Sequence, residues 1–208
     1  MSTVDPLPRA EQRRVELLDR LARLFLAEGF LGFGVGDLAA RLRCSRSSLY
    51  LVAASKPEIV LATLRDWFRG AAQRIEERVL AEPDPAARLR TYLLAVSDEL
   101  APASLQFYAD LVAHPPAGEV YEENTRYAAR RVRALVDAGV EAGALRPVDA
   151  VFVGAAVAEV MTGIQAGRVG AATGLSDAEA YRALADVVVG GLARTGQVTD
   201  LTRTGEAR

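Results

Sequence analysis

Gly34 to Lys56 reads GVGDLAARLRCSRSSLYLVAASK, and the way its two halves pair decides the fold. The first half sets Leu38, Ala39 and Leu42 on one helical face, because residues three and four apart are neighbours on a helix. The second half opens at Ser45, a good N-cap, and the spacing predicts a short helix running to about Val52. Arg43-Cys44-Ser45 is all that joins them, so the pair is a helix-turn-helix on geometry alone. Leu38, Ala39, Leu42, Cys44 and Leu49 fall where the two helices must pack, and Ala39 is small enough to let them approach.

Working outward, Leu17, Leu18, Leu21, Leu24 and Phe25 form an apolar stripe that predicts a helix over about 9–28, stopped by Gly29. Downstream, Ser55-Lys56-Pro57-Glu58 has capping-box spacing, with Pro57 in the first turn where its missing N–H is harmless. A long helix follows through Leu64, Trp67, Phe68, Ile75 and Val79. Further helices are expected from Asp84-Pro85, from Pro102, from Gly118 to Ala142 after a break at His114-Pro115-Pro116, and over 147–168. Ser176 to Glu179 is a second capping box that opens the last one. No strand-type alternation competes, so the expected fold is all-α with about nine helices. The residues after Gly196 are polar and patternless and read as a disordered tail over 196–208.

The exposed remainder of the second short helix is Arg46, Ser47, Ser48, Tyr50 and Leu51, a short, polar and basic surface that suits a DNA major groove about 12 Å wide. Hydroxyls and a phenol can bond phosphate oxygens, whereas Arg46 can reach base edges. Lys56 adds an independent hint. It is the one lysine of the chain and sits in the first turn of a helix, where the macrodipole repels a cation unless an anion such as phosphate binds there.

Composition narrows the alternatives. Cys44 and His114 are the single cysteine and single histidine, which leaves almost no material for a structural zinc site, a disulfide framework or a Cys/His nucleophile pair. No metal, cofactor or catalytic residue is expected. The opening residues lack the pattern of a leader peptide and no long uncharged apolar run occurs, so a cytoplasmic chain without membrane contact is expected. The 25 basic and 27 acidic residues are unevenly spread. Up to Lys56 there are nine basic residues against six acidic, a net +3; the remainder holds sixteen against twenty-one, a net −5. A small basic head on an acidic body is the charge pattern of an anion-binding module fused to something else. Gly34-Val35-Gly36-Asp37-Leu38-Ala39 matches a dinucleotide-binding glycine pattern, but it follows a helix rather than a strand.

Leu24-Phe25, Gly29-Phe30, Asp37-Leu38-Ala39, Ser45, Leu49-Tyr50 and Ser55-Lys56 together resemble the N-terminal domain of the tetracycline-repressor (TetR) family. The resemblance covers about 50 residues in the family's order and spacing. It implies a three-helix DNA-binding head over 1–55 with its motif at about 34–53. It also implies a body over 56–195 that binds an effector, and a homodimer paired through the last two helices, about 147–168 and 177–195. Arg43, Ser45, Arg46, Ser47, Ser48, Tyr50, Leu51 and Lys56 are the expected contacts to a double-stranded operator. The sequence departs from the family at Gly34, where a capping Ser or Thr is usual, and at Arg43, which replaces a turn glycine. Leu51-Val52-Ala53 also stands in place of a more polar segment.

The body offers no motif. Its candidate effector contacts are Trp67, Phe68, Tyr92, Phe107, Tyr108, His114, Tyr127, Phe152 and Met161, an aromatic set from which a helical bundle could line a cavity for a small, largely apolar organic molecule. Residues 148–164 are apolar around most of the helix, which asks for burial on more than one side, by a second copy or in a central core. The expected function is a homodimeric, ligand-released transcriptional repressor. The competing reading is a ligand-binding or protein-interaction module whose head no longer binds DNA, motivated by Gly34, Arg43 and Leu51-Val52-Ala53.

Overall fold

The stripe from Leu17 to Leu26 builds α1 (Arg9–Glu28), whose buried face carries Leu17, Leu18, Leu21, Ala22, Phe25 and Leu26. It ends where Gly29 takes φ 77°, open to glycine without a Cβ clash, and donates its N–H to the Phe25 carbonyl. Nine helices follow in the computed structural model, which describes residues 8–193; the expected tail over 196–208 lies outside them. They are α2 (Val35–Arg41), α3 (Arg46–Leu49), α4 (Lys56–Ala81), α5 (Pro85–Leu100), α6 (Leu105–Ala113), α7 (Pro115–Glu141), α8 (Ala150–Gln165), α9 (Arg168–Thr173) and α10 (Asp177–Leu192). The described residues hold no β-strand, only an isolated bridge between Leu145 and Ala193, and the chain is all-α.

Several helix limits differ from the sequence expectation for local reasons. Pro115 and Pro116 do not interrupt a helix but begin one. At the first two positions of α7 their missing N–H groups would have had no helical partner, and His114 Nδ1 accepts from the Ala117 N–H at 3.3 Å. The segment from Pro102 becomes helical only at Leu105, because Ser104 Oγ accepts from the Phe107 N–H and sets the N-cap there. The apolar run to 168 is cut in two at Gly167, whose φ of 70° separates α8 from α9. Among the described residues no helix is long and apolar enough to cross a membrane.

Two compact units divide the chain. The first joins the residues up to Arg74 with Leu100–Asn124. Its core packs α1, α2, α3, the first part of α4 and α6, with Leu17, Leu18, Leu21, Phe25, Phe30, Leu38, Leu49, Ile59, Phe107 and Leu111 almost fully buried. Each large side chain removed from water there contributes about 1.5–3 kcal/mol. Phe30 is ringed by Phe25 at 5.8 Å, Phe107 at 6.3 Å and His114 at 6.1 Å between centroids.

The second unit joins Ile75–Glu99 with the residues from Thr125. Leu89, Leu93, Val132, Val136, Val157, Ile164, Tyr181, Leu184 and Ala185 are buried in it. The α7 and α8 backbones meet at Gly154, where a Cβ would stand 2.6 Å from the Ala129 carbonyl oxygen. Buried Gln165 of α8 donates to the Tyr181 hydroxyl of α10 at 2.7 Å and pins the register of those two helices.

Candidate nucleic-acid interface

The helix-turn-helix forms as its apolar spacing requires. Leu38, Ala39, Leu42 and Leu49 are buried, Cys44 packs half-buried against them, and Val52 joins the same core. α2 begins at Gly34, whose N–H donates to Asp37 Oδ2 at 2.8 Å. Asp37 so supplies the side-chain half of a capping box to which Gly34 contributes only backbone. α2 closes with Leu42 N–H on the Leu38 carbonyl, and an Arg20 guanidinium nitrogen from α1 donates to the Leu42 carbonyl. Arg43 then takes φ 47°, left-handed and the sole positive φ of a non-glycine among the described residues. This turn is made where the family resemblance expects glycine.

Ser45 caps α3, its Oγ accepting from the Ser48 N–H at 3.1 Å while sharing hydrogen bonds with Ser47 Oγ at 2.8 Å and Ser48 Oγ at 2.9 Å. α3 is little more than a single turn. After Leu49 the chain tightens, Leu51 N–H reaching the Ser48 carbonyl and Val52 N–H the Leu49 carbonyl, so that Val52 turns inward and Tyr50 and Leu51 stay outside. Arg43, Ser45, Arg46, Ser47, Tyr50 and Leu51 lie on the outside of the motif, and Ser48 is half-buried. Arg46 lies back over the start of α2: its Nη2 is 2.8 Å from where a Cβ on Gly36 would be. The missing side chain at Gly36 leaves room for that guanidinium beside the α2 N-terminus. Cations and hydroxyls therefore share the exposed surface of the motif, an arrangement that can hold phosphate oxygens and present a guanidinium to base edges.

Lys56 stands differently. Its Nζ donates to the Leu31 carbonyl at 3.0 Å, so one of its three donors holds the α1–α2 turn. Sequence reading also missed Arg41, which clasps Glu28 by two hydrogen bonds of 2.7 Å and stacks over the Phe33 ring at 5.6 Å. It missed Asp110 too, a buried carboxyl group in α6.

The effector candidates fall into separate groups. In the first unit Trp67, Phe68, Phe107 and Tyr108 form a continuous ring network, Trp67–Phe68 at 4.6 Å, Trp67–Phe107 at 6.2 Å and Phe107–Tyr108 at 5.5 Å, and His114 meets it through Phe30. Tyr92 and Tyr127 belong to the second unit beside Glu76 and Arg131, where burial pushes the Tyr92 phenol far up and the neighbouring Tyr127 and Glu76 add to it. Met161 is buried in α8. Phe152, 70% exposed, lines an apolar groove of about 310 Å³ between α8 and α10 with Val153, Val160, Val187 and Val188.

No protein-family model matches the chain, and no curated protein matches its sequence. Solved structures do match its shape. A protein from Saccharomonospora viridis, crystallised in complex with choline, superposes with a TM-score of 0.72 at 18% identity over 88% of this chain and 99% of its own. A TetR-family transcriptional regulator from Agrobacterium tumefaciens gives 0.71 at 16% identity over 89% and 100%. The TetR-family regulator PfmR from Thermus thermophilus gives 0.62 at 26% identity over 86% and 99%. With its helices in this order and a helix-turn-helix formed by α2 and α3, the chain has the fold of the TetR-family transcriptional regulators.

Proposed function

We propose that the chain is a DNA-binding transcriptional regulator that acts by binding rather than by catalysis, its head over 1–55 reading an operator and its body over 56–195 taking a small organic effector. The observation that carries this reading is α3: Leu49 and Val52 anchor it while Arg43, Ser45, Arg46, Ser47, Tyr50 and Leu51 are left on the outside of the α2–α3 pair. Arg46 is the base-reading residue, a bidentate guanine contact being worth about 1–3 kcal/mol of discrimination. Serine hydroxyls and Tyr50 hold phosphates, and Lys56 adds a cation beside them. A homodimer paired through α8 and α10 sets two such helices in successive major grooves of a quasi-palindromic site. The effector releases the DNA by favouring a body geometry that spaces the heads wrongly, which makes the regulator a repressor. A choline complex of one structural neighbour supports a small organic ligand in this fold.

Binding of the purified chain to duplex DNA from immediately upstream of its own coding region, against random duplex of equal length, tests the reading. Salt-sensitive preference for the upstream duplex is expected, with a loss of about tenfold or more in Arg46→Ala. Equal affinity for both duplexes, unchanged in Arg46→Ala and in Lys56→Ala, would overturn it and leave a head that no longer binds DNA.

A further inference from the structure

We propose that Asp110 is the positioning residue of the DNA-reading head, an inference that rests on the reading above. Asp110 comes from α6, and only 3% of it is exposed. Its Oδ2 accepts two consecutive backbone N–H groups from the turn between α1 and α2, Phe30 at 2.5 Å and Leu31 at 2.8 Å, while its Oδ1 accepts from Gln106 Nε2 at 2.6 Å. A carboxyl group buried this far is tolerated only with its oxygens satisfied, and here both partners of Oδ2 are supplied by a segment 79 and 80 residues earlier in the chain.

The turn is shaped to receive it. Gly29 has φ 77°, and a Cβ there would stand 2.5 Å from Asp110 Oδ2 and 2.8 Å from Gln106 Cγ, so the close approach requires glycine. The same turn is gripped from its other side, Lys56 Nζ donating to the Leu31 carbonyl at 3.0 Å. Beside it Ser104 N–H reaches back to the Leu26 carbonyl at 2.8 Å and ties the start of α6 to the last turn of α1. Three residues beyond Leu31, Gly34 caps α2, whose packing fixes α3. The direction in which α3 faces is therefore set through a turn whose N–H groups are held by α6 and whose carbonyl is held by α4. Asp110 touches no DNA. It acts through Phe30 and Leu31.

Hydrogen exchange at individual amides, together with binding to the upstream and random duplexes, tests this in Asp110→Ala. Exchange at Phe30 and Leu31 is expected to accelerate by at least about tenfold, while the circular dichroism of the helices is retained. Preference for the upstream duplex should fall about tenfold, the size of one lost base contact, with affinity for random duplex and its salt slope unchanged. A purely structural role would leave the preference of the folded variant intact. Asp110→Asn keeps an acceptor but a weaker, uncharged one, and should restore part of both effects. If the alanine variant fails to fold, the asparagine variant decides the matter, since its Phe30 and Leu31 amides must still exchange faster than those of the wild type. Unchanged exchange at these two amides in a folded variant overturns the proposal. Wild-type protein without any duplex preference would instead sink the DNA reading, and the exchange measurement would still judge the clamp.

Discussion

Arg131 of α7 grips Glu76 of α4 with two parallel hydrogen bonds, Nε to Oε1 at 2.6 Å and Nη2 to Oε2 at 2.7 Å, the side chains being 24% and 26% exposed. The hydrogen bond to Glu76 raises the affinity of the Arg131 guanidinium for its proton. Other ion pairs among the described residues, such as Arg78 with Asp98 and Arg90 with Asp186, hang in solvent and stabilise little. Arg131→Met strands a carboxylate beside the buried Tyr92. It is expected to cost about 1–3 kcal/mol in urea unfolding, below a fully buried pair because water still reaches this one. A double-mutant cycle with Glu76→Gln should return a coupling of about 1 kcal/mol or more; a coupling near zero would place this pair with the solvent-exposed ones.

Arg43 is expected to be a site where the sequence gives up stability. A side chain in the left-handed region costs about 1–2 kcal/mol, and glycine gives back part of that through the greater freedom of the unfolded chain. Arg43→Gly should therefore raise the urea midpoint by the equivalent of about 0.5–1 kcal/mol with an unchanged slope. Affinity for the upstream duplex should fall in the same variant, since a cation beside the recognition helix is lost. A variant less stable than wild type would contradict the strain argument.

Much of the fold could be read in advance because the deciding chemistry is local. Ser45 and Ser176 cap α3 and α10 with hydroxyls that reach three residues forward, and the apolar periods of α1 and α2 lie within single turns of helix. What escaped was either non-local or depended on which end of a helix a residue would occupy. Pro115 and Pro116 look like breakers unless His114 is known to stand as the cap before them, and Gly167 sits in an apolar run whose period does not announce its φ of 70°. Asp110 had only one sequence signal, a lone acidic residue within the apolar stretch LQFYADLVA, and its partners Phe30 and Leu31 are far away along the chain. The residues proposed to meet DNA were legible only as the exposed leftovers of a packed motif. Nothing local sorts the effector candidates, because an aromatic serves a core, a cavity or an exposed groove alike: Phe107 is fully buried and Phe152 is 70% exposed.

The start of α10 carries the clearest pH dependence. Glu179 Oε2 accepts from the Ser176 hydroxyl at 2.6 Å and from the Ser176 N–H at 2.9 Å, and these bonds hold its carboxyl below the ordinary value near 4.5. A carboxyl depressed in the folded state stabilises above its unfolded pKa, and that contribution is lost as pH falls through the folded value. The capping box should thus be intact at neutral pH and fail only in acid. Carboxyl-carbon NMR should show Glu179 titrating below the other exposed glutamates, and Ser176→Ala should move it back toward them. Titration at the ordinary value in the wild type would remove the box as a stabilising device.

Pairing of the proposed dimer is expected to run through the α8–α10 face, where Phe152 and Val187 are 70% and 73% exposed beside Val160 and Val188. Single apolar side chains in solvent need no explanation, but a groove of them along two adjacent helices does. A twofold interface presents every residue twice. Burying Phe152 at about 2 kcal/mol per copy then gives about 4 kcal/mol, or roughly a thousandfold in the dimer dissociation constant. Sedimentation equilibrium at micromolar concentration should show a wild-type dimer, with Phe152→Glu and Val187→Glu together giving a folded monomer. That monomer should also lose most of its affinity for the upstream duplex, because each half-site offers one short helix few phosphate contacts and two heads must bind together. A double variant that stays dimeric would move the interface elsewhere, and a dimer-free variant with undiminished DNA affinity would show that one head suffices.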